Sequence, residues 1–351
     1  MRFVSAIARA RNEGDRDAAA YAAGAPPPPQ SEFWKFSDGC RFRALVIRRA
    51  LAALRVPPRL VALLRPLCDS RRLAAFEKFL LQYAYWRGVQ RRLDRETWRQ
   101  VQRGPVILMY HAVATRRSEP ASCYVVPRRR FTVQMAWLNR RGYRVISLGD
   151  LIAHLRTHRL PPARSVVITF DDGYEDNCET ALPILQRYGF PATVFVVSGA
   201  IGSTAQWTTE PALMGRPVAT GAQLAAMVKG GIEIGAHTQT HPSLTAIPPL
   251  AQEAELRGSR EDLERLLGKP VRSFAYPFGD YAPDIARRVA EAGFDAACSS
   301  RSGVNDPATP LFQLRRVEVR GTYSLWSFAW LLWRAHRPRR AKRTRQVEQA
   351  A

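Results

Sequence analysis

The sequence predicts an α/β fold, a (β/α) barrel of parallel strands preceded by an N-terminal amphipathic helical extension. Three observations predict it. Short apolar runs alternate with helix-period segments for about 215 residues from Pro105 onward. The runs are continuous and rich in β-branched residues, as in strands buried on both faces. Several end abruptly in ionisable residues, the pattern of strands whose C-terminal edges carry chemistry.

The elements follow in order. Val106 to Tyr110 reads as a buried strand, and Phe131 to Arg141 has helical spacing at Phe131, Met135 and Leu138. Tyr143 to Ile146 is strand-like and Leu148 to Leu155 helical. Val166 to Phe170 is a strand, Asn177 to Tyr188 a helix, Ala192 to Val197 a strand and Gly221 to Val228 a helix. Ile232 to Ala236 is a strand. Leu250 to Leu267 is a long helix with Glu253, Glu255, Arg257, Arg260, Glu261 and Glu264 on its wet side. Ser273 to Tyr276, Ala296 to Ser299 and Arg316 to Val319 are strands, with a helix from Pro283 to Ala292 between the first two.

The flanks differ in character. Residues 1–41 are expected to be disordered, with Pro26 to Pro29 a stiff linker. Residues 42–104 read as short basic amphipathic helices: Phe42, Leu45, Val46, Leu51 and Leu54 alternate with Arg41, Arg43, Arg48, Arg49 and Arg55. Leu73, Phe76, Phe79, Leu80, Tyr83 and Trp86 then recur at three-to-four spacing. Such helices lie in a membrane interface or pack on the main domain. The catalytic domain is expected over 105–322, and a Trp-rich basic tail over 323–351.

The chain has 351 residues and a formal charge of +23. Residues 1–104 carry +12, residues 105–330 +5 and residues 331–351 +6. The basic excess therefore lies outside the barrel segment. That argues against a main body gripping nucleic acid, and for basic flanks on an anionic membrane surface. The three arginines Arg128 to Arg130 read as a solvated face. Five scattered cysteines, without a Cys-x-x-Cys pair, indicate thiols in a reducing compartment rather than a disulfide framework. Met1 to Arg11 lacks the pattern of a secretory signal. Gly321 to Trp333 is too short to span a bilayer, which needs roughly 20 residues as a helix. The expected location is peripheral, on the inner face of the cytoplasmic membrane.

Two strand ends carry the chemistry. Val166 to Phe170 runs into Asp171-Asp172-Gly173-Tyr174, and adjacent carboxylates raise each other's pKa unless a cation is near. Ile234 to Ala236 runs into His237-Thr238-Gln239-Thr240-His241. One carboxylate and two imidazoles leave a divalent metal with open coordination positions, as a hydrolase requires. Pro242 disfavours helical backbone at His241, which points to a tight loop.

The segments Thr169-Phe170-Asp171-Asp172-Gly173-Tyr174, His237 to His241 and Phe274-Ala275-Tyr276-Pro277-Phe278-Gly279 resemble, in order and spacing, three motifs of the polysaccharide deacetylases, carbohydrate esterase family 4. The resemblance covers roughly 105–320 and implies a distorted barrel of about seven parallel strands. It implies metal-dependent removal of acetyl from an N-acetylated amino sugar, in a polysaccharide or a lipid-linked precursor. Asp172, His237 and His241 would hold one divalent ion, zinc in the first place, with cobalt, nickel or manganese acceptable to the same ligands. Asp171 would be the general base, and the backbone N–H of Phe278 would face the oxyanion. Tyr276 and Phe278 would wall the sugar site. Trp207 precedes a loop that could overhang the cleft, to stack a sugar or to pack. The pair Tyr110-His111 resembles the poly-N-acetylglucosamine deacetylase subgroup, which makes His111 the candidate acid. Many members place an arginine where this chain has Ala275, and Arg316 is the candidate to reach Asp171 in its stead. Deformylation of a lipid-linked amino sugar would use the same residues, and a catalytically silent glycan-binding or membrane-associated protein is the alternative outside enzymology.

Overall fold

The computed structural model describes residues 2–28, 31–34, 42–68, 70–102, 104–115 and 122–335. The basic sequence after Ala335, Cys40 and part of the Pro-rich linker lie outside the described residues. The chain divides into a helical unit, which takes in residues up to Asp94, and a barrel unit, which takes in Arg95–Ala335.

The helical unit contains α1 (Arg2–Ala22), α2 (Phe42–Ala53), α3 (Pro58–Ala62) and α4 (Ser70–Arg92). Helix α1 corrects, for Arg2–Ala22, the expectation of disorder over 1–41. Its charged residues leave it few large apolar side chains, but its alanines and arginines are good helix formers, and α4 supplies the partner. Gly14 and Gly88 let the two backbones touch: a Cβ on Gly14 would lie 2.0 Å from the Tyr85 carbonyl oxygen, and one on Gly88 2.0 Å from that of Arg11. Ile7 and Ala18 of α1 are buried, as are Leu80, Tyr83, Trp86 and Val89 of α4. Arg48, expected on a wet face, is buried and donates to Gln82 Oε1 at 2.7 Å.

The barrel unit begins with α5 (Arg95–Gln102). Its strands are β1 (Val106–Tyr110), β2 (Ala112–Ala114), β3 (Val125–Pro127), β4 (Arg144–Val145), β5 (Ser165–Phe170), β6 (Ala192–Val196), β7 (Ile232–Ala236), β8 (Ser273–Ala275), β9 (Ala296–Cys298) and β10 (Arg316–Glu318). Its further helices are α6 (Arg128–Arg140), α7 (Leu148–Arg156), α8 (Leu182–Gln186), α9 (Gly221–Lys229), α10 (Pro249–Leu267), α11 (Pro283–Glu291) and α12 (Leu325–Ala335). Seven strands pair in parallel in the order β10-β1-β5-β6-β7-β8-β9. Both sheet ends meet at Leu314, which bridges Cys298 in parallel and donates to the Ala297 carbonyl at 2.9 Å. The result is a nearly closed, distorted (β/α) barrel. The distortion is visible at β5, whose first residues pair with β4 and whose last pair with β6.

Every residue of β1 and β5 is buried, as their apolar runs required. The helix expected from Asn177 instead opens with a π-type turn over Asn177–Ala181 before α8. Helix α12 belongs to the barrel unit rather than to a separate tail. Phe328, Leu332 and Ala335 are buried, and the Phe328 ring meets Trp137 of α6 edge-on at 5.9 Å. Helix α5 likewise joins the barrel unit, so the boundaries expected at 104 and 322 shift outward. Among the described residues, no helix is long and apolar enough to cross a membrane.

Candidate active site

A cleft of about 580 Å³ opens at the C-terminal ends of the barrel strands, lined by His111, Asp171, Asp172, His237, His241 and Arg316 among others. These side chains arrive from several different strands. Strand β1 delivers His111, β5 the two aspartates, β7 the histidine loop, β8 the Pro277-Phe278 turn, and Arg316 opens β10.

The adjacent aspartates take different partners. Asp171 continues the β5 ladder, its N–H donating to the Tyr110 carbonyl at 2.9 Å. Its side chain forms a two-pronged pair with Arg316: Nη1 to Oδ1 at 2.6 Å and Nη2 to Oδ2 at 2.8 Å. Both side chains are buried. Arg316 also donates to the Ser299 carbonyl and the Thr169 hydroxyl, and it lies over the Phe195 ring at 5.5 Å. Arg316 is thus the cation beside Asp171. Burial pushes the Asp171 carboxyl up, but the Arg316 guanidinium, then His237 and His111, outweigh it, and the net shift is downward. Asp171 therefore stays ionised at neutral pH.

Asp172 turns the other way. It sits at φ 73°, and Gly173 follows at φ 73°. Its Oδ1 lies 3.3 Å from His241 Nε2 and 3.6 Å from His237 Nε2. Burial again pushes this carboxyl up, and the histidines outweigh it, so its pKa falls well below the usual carboxylate range. His237 Nδ1 lies 2.7 Å from the Ala275 carbonyl oxygen. A carbonyl only accepts, so Nδ1 carries the proton and the Nε2 lone pair faces Asp172. Burial, partly offset by Asp171, lowers the His237 pKa to about 4, which keeps the ring neutral.

These residues fit a metal ion. One ligand atom from each of Asp172, His237 and His241 lies within 4.8 Å of the others. Two ligands about 2.1 Å from a tetrahedral centre stand about 3.4 Å apart, close to both observed separations. A lone pair on His237 Nε2 facing a carboxylate oxygen is repulsive unless a cation stands between them. The backbone is strained in the same place. Among the described residues, seven non-glycines have positive φ, and four of them are Asp172, Thr238, His241 and Phe278. Such conformations cost roughly 1–3 kcal/mol each and persist only where surroundings over-determine them.

The surroundings are identifiable. Glu255 of α10, expected on the wet side, accepts from the backbone N–H of Gln239 at 2.7 Å and of Thr240 at 2.9 Å. Gln239 in turn donates to Asp262, which also accepts from Ser198. Thr238 Oγ1 accepts from the His241 N–H at 3.0 Å. The histidine pair sits on a tight loop, as Pro242 indicated, and α10 clamps it.

His111 is half-buried, its ring edge-on to Tyr124 at 4.9 Å. A polar group that sequence reasoning missed holds its segment. Asn177 Nδ2 donates to the His111 carbonyl at 3.0 Å, and Asp176 Oδ1 accepts from the Val113 N–H at 2.9 Å. Arg216 Nε pairs with Asp176 Oδ2 at 2.6 Å. The only sequence signal was the polar run after the first motif; nothing linked it to Arg216.

Of the three expected sugar-site residues, one is placed differently. Tyr276 is wholly buried, donates to the Phe312 carbonyl at 3.0 Å and stacks on Tyr281, so it is a core residue and not a wall of the cleft. Trp207 lines the cleft, with its ring face against His241 at 5.3 Å. Phe278 meets His241 edge-on at 4.9 Å, and it is 59% exposed. Its backbone stands at φ 59°, beside the cleft it lines.

The chain is similar to known proteins in sequence and fold. A family model described as polysaccharide deacetylase matches residues 158–297. A poly-beta-1,6-N-acetyl-D-glucosamine N-deacetylase of Staphylococcus aureus is 29% identical over 205 residues, 56% of this chain and 68% of that protein. The Streptococcus pyogenes deacetylase PplD, solved with acetate, superposes with a TM-score of 0.57 at 26% identity, covering 65% of this chain and 98% of its own. IcaB from Ammonifex degensii gives 0.57 at 26% identity, covering 66% and 97%.

Proposed function

We propose, from the premise that this chain belongs to the polysaccharide deacetylase family, that it hydrolyses the N-acetyl amide of an N-acetylated amino sugar, in a polysaccharide or a lipid-linked precursor, to free amine and acetate. The observation that carries the reading is the meeting, in one cleft, of the Asp172–His237–His241 cluster and the Asp171–Arg316 pair. Asp172, His237 and His241 would hold one divalent ion, with zinc the first candidate. Bound there, a divalent ion supplies Lewis acidity toward an amide carbonyl and lowers the pKa of bound water.

The chain's own residues do the rest. Asp171 accepts the proton of the attacking water, on oxygens that Arg316 fixes in orientation. Each Asp171 oxygen gives one lone pair to Arg316 and keeps one for that proton. The Phe278 N–H donates to the oxyanion, from backbone held in a conformation few side chains adopt. His111, positioned by Asn177 and Asp176, protonates the departing amine. The exposed faces of Phe278 and Trp207 meet the sugar.

Acetate release from N-acetylglucosamine oligomers, with metal analysis of the purified chain, tests the reading. Release by the wild type that is lost in Asp171→Asn with metal retained supports it. Formate release from N-formyl sugars alone would move the assignment to a deformylase. A wild type inert on every N-acyl sugar would leave a glycan-binding protein.

The chain would act at the inner face of the cytoplasmic membrane. The helical unit supports contact with a membrane surface: Leu54, Leu60, Leu63 and Leu67 are each more than half exposed, and Arg55 and Arg59 stand among them. Flotation with vesicles checks it, since Leu60→Glu with Leu63→Glu should cut recovery in the lipid layer.

A further inference from the structure

We propose that the corner where α6 and α12 begin binds the phosphate of an anionic lipid headgroup, beside a tryptophan face that lies in the membrane interface. This rests on the membrane-surface reading and names the lipid group involved. A pocket of about 280 Å³ is lined by Arg129, Arg130 and Gln134 of α6 and by Tyr323, Ser324 and Leu325 at the start of α12. Two helix N-termini thus border one cavity, on helices of 13 and 11 residues. Each N-terminus carries unpaired backbone N–H groups and the positive pole of its helix. Ser324 caps α12, its Oγ accepting from the Ser327 N–H at 3.1 Å.

Helices ordinarily place carboxylates in the first turn. Neither of these has one there, and α6 begins with Arg128, Arg129 and Arg130 instead. Positive side chains piled on a positive pole repel, and an anion between them removes the repulsion. Arg130 donates to the Gly321 carbonyl, in the segment that leads into α12. Among the described residues, none of the three arginines pairs with a carboxylate. An independent observation points into the same pocket. Gln134 is 1% exposed; its Oε1 accepts from the Tyr110 hydroxyl at 3.0 Å, and its Nε2 has no hydrogen-bond partner among the described residues. The lining therefore offers guanidinium, amide and hydroxyl donors and no carboxylate, which suits phosphate.

The source of the phosphate follows from α12. One side of that helix is buried, through Phe328, Leu332 and Ala335. The other side carries Trp326, Trp330 and Trp333, exposed by 86%, 48% and 50%. A surface helix apolar on both sides is unusual in water, and indole rings favour the headgroup level of a bilayer. Arg334 lies over the Trp330 ring at 4.8 Å, and the sequence beyond supplies Arg337, Arg339, Arg340, Lys342, Arg343 and Arg345 before the first acid, Glu348. Free phosphate would have no use for the tryptophan face, whereas an anionic lipid surface uses both.

The test uses the full chain with phosphatidylcholine vesicles, with and without phosphatidylglycerol, read by co-sedimentation and tryptophan emission. Binding should require the anionic lipid, shift emission to the blue and weaken with salt. The double variant Arg129→Gln, Arg130→Gln should bind about 30-fold more weakly, each cation contributing roughly fivefold near an anionic surface. Trp330→Ala with Trp333→Ala should lose about tenfold or more and the blue shift with it. Activity on a soluble sugar oligomer should match the wild type in both, showing that the fold is intact. Vesicle binding equal to wild type in both variants would overturn the site while leaving attachment through the helical unit. Arg129-dependent uptake of inorganic phosphate by a chain that ignores vesicles would overturn the lipid assignment.

Discussion

Replacing Arg316 by methionine should destabilise the barrel by about 3–5 kcal/mol at pH 7, and by much less near pH 4. The pair it breaks is wholly buried, with both Asp171 oxygens engaged at 2.6 and 2.8 Å. Methionine fills similar volume but leaves a buried carboxylate whose opposing cation is gone. In the wild type the folded pKa of Asp171 is lowered. Its stabilising contribution is therefore complete above the unfolded value, about 3.9, and is lost as pH falls through the folded value. In the variant, burial dominates and the folded pKa rises above the unfolded one. The charge then costs stability from about pH 3.9 upward, until the raised pKa is passed. The difference between wild type and variant should therefore widen from pH 4 to pH 7. For a unit of this size, about 2–4 °C accompanies each kcal/mol, so the pH 7 gap in Tm should be about 6–20 °C. Thermal scans of both proteins across that pH range measure it, and taking the difference cancels titration common to both. Asp171→Asn combined with Arg316→Met should recover most of the loss, because a neutral pair needs no cation. A gap under about 1 kcal/mol that ignores pH would refute the reasoning.

Four further outcomes are expected. Asp171→Asn should lower kcat by roughly 10²–10⁴-fold, with circular dichroism and bound metal unchanged. Chelation should lower both Tm and activity, added zinc should restore them, and Glu255→Gln should weaken metal affinity by about 10–100-fold in a competition titration because it loosens the clamped histidine loop. Asn177→Ala should reduce kcat with little change in KM, since Asn177 holds the His111 segment and not the sugar; a change confined to KM would remove that role.

Local pattern made much of this protein readable. The barrel was legible because strands buried on both faces must be apolar throughout, as β1 and β5 are. The grouping of Asp172, His237 and His241 was legible because ionisable residues close after such strands stand at the sheet's C-terminal edge. Pro242 announced the loop at His241 for a similarly local reason, the clash between a proline ring and the preceding residue. Helix α1 was not legible, because its order comes from packing on α4 through two glycines and not from a long apolar run of its own. Tyr276 misled because a motif position says nothing of which way a ring turns.

By itself, the sequence determined the parallel α/β architecture and the side chains that converge on the cleft, since both depend on composition at strands and their immediate ends. Tertiary structure alone decided that Arg316 grips Asp171 from 145 residues away, that Trp207 and Phe278 both contact His241, and that Asp176, Asn177 and Arg216 hold the His111 segment. These are contacts through space between residues distant along the chain, and only closure of the barrel brings them within hydrogen-bonding or van der Waals range.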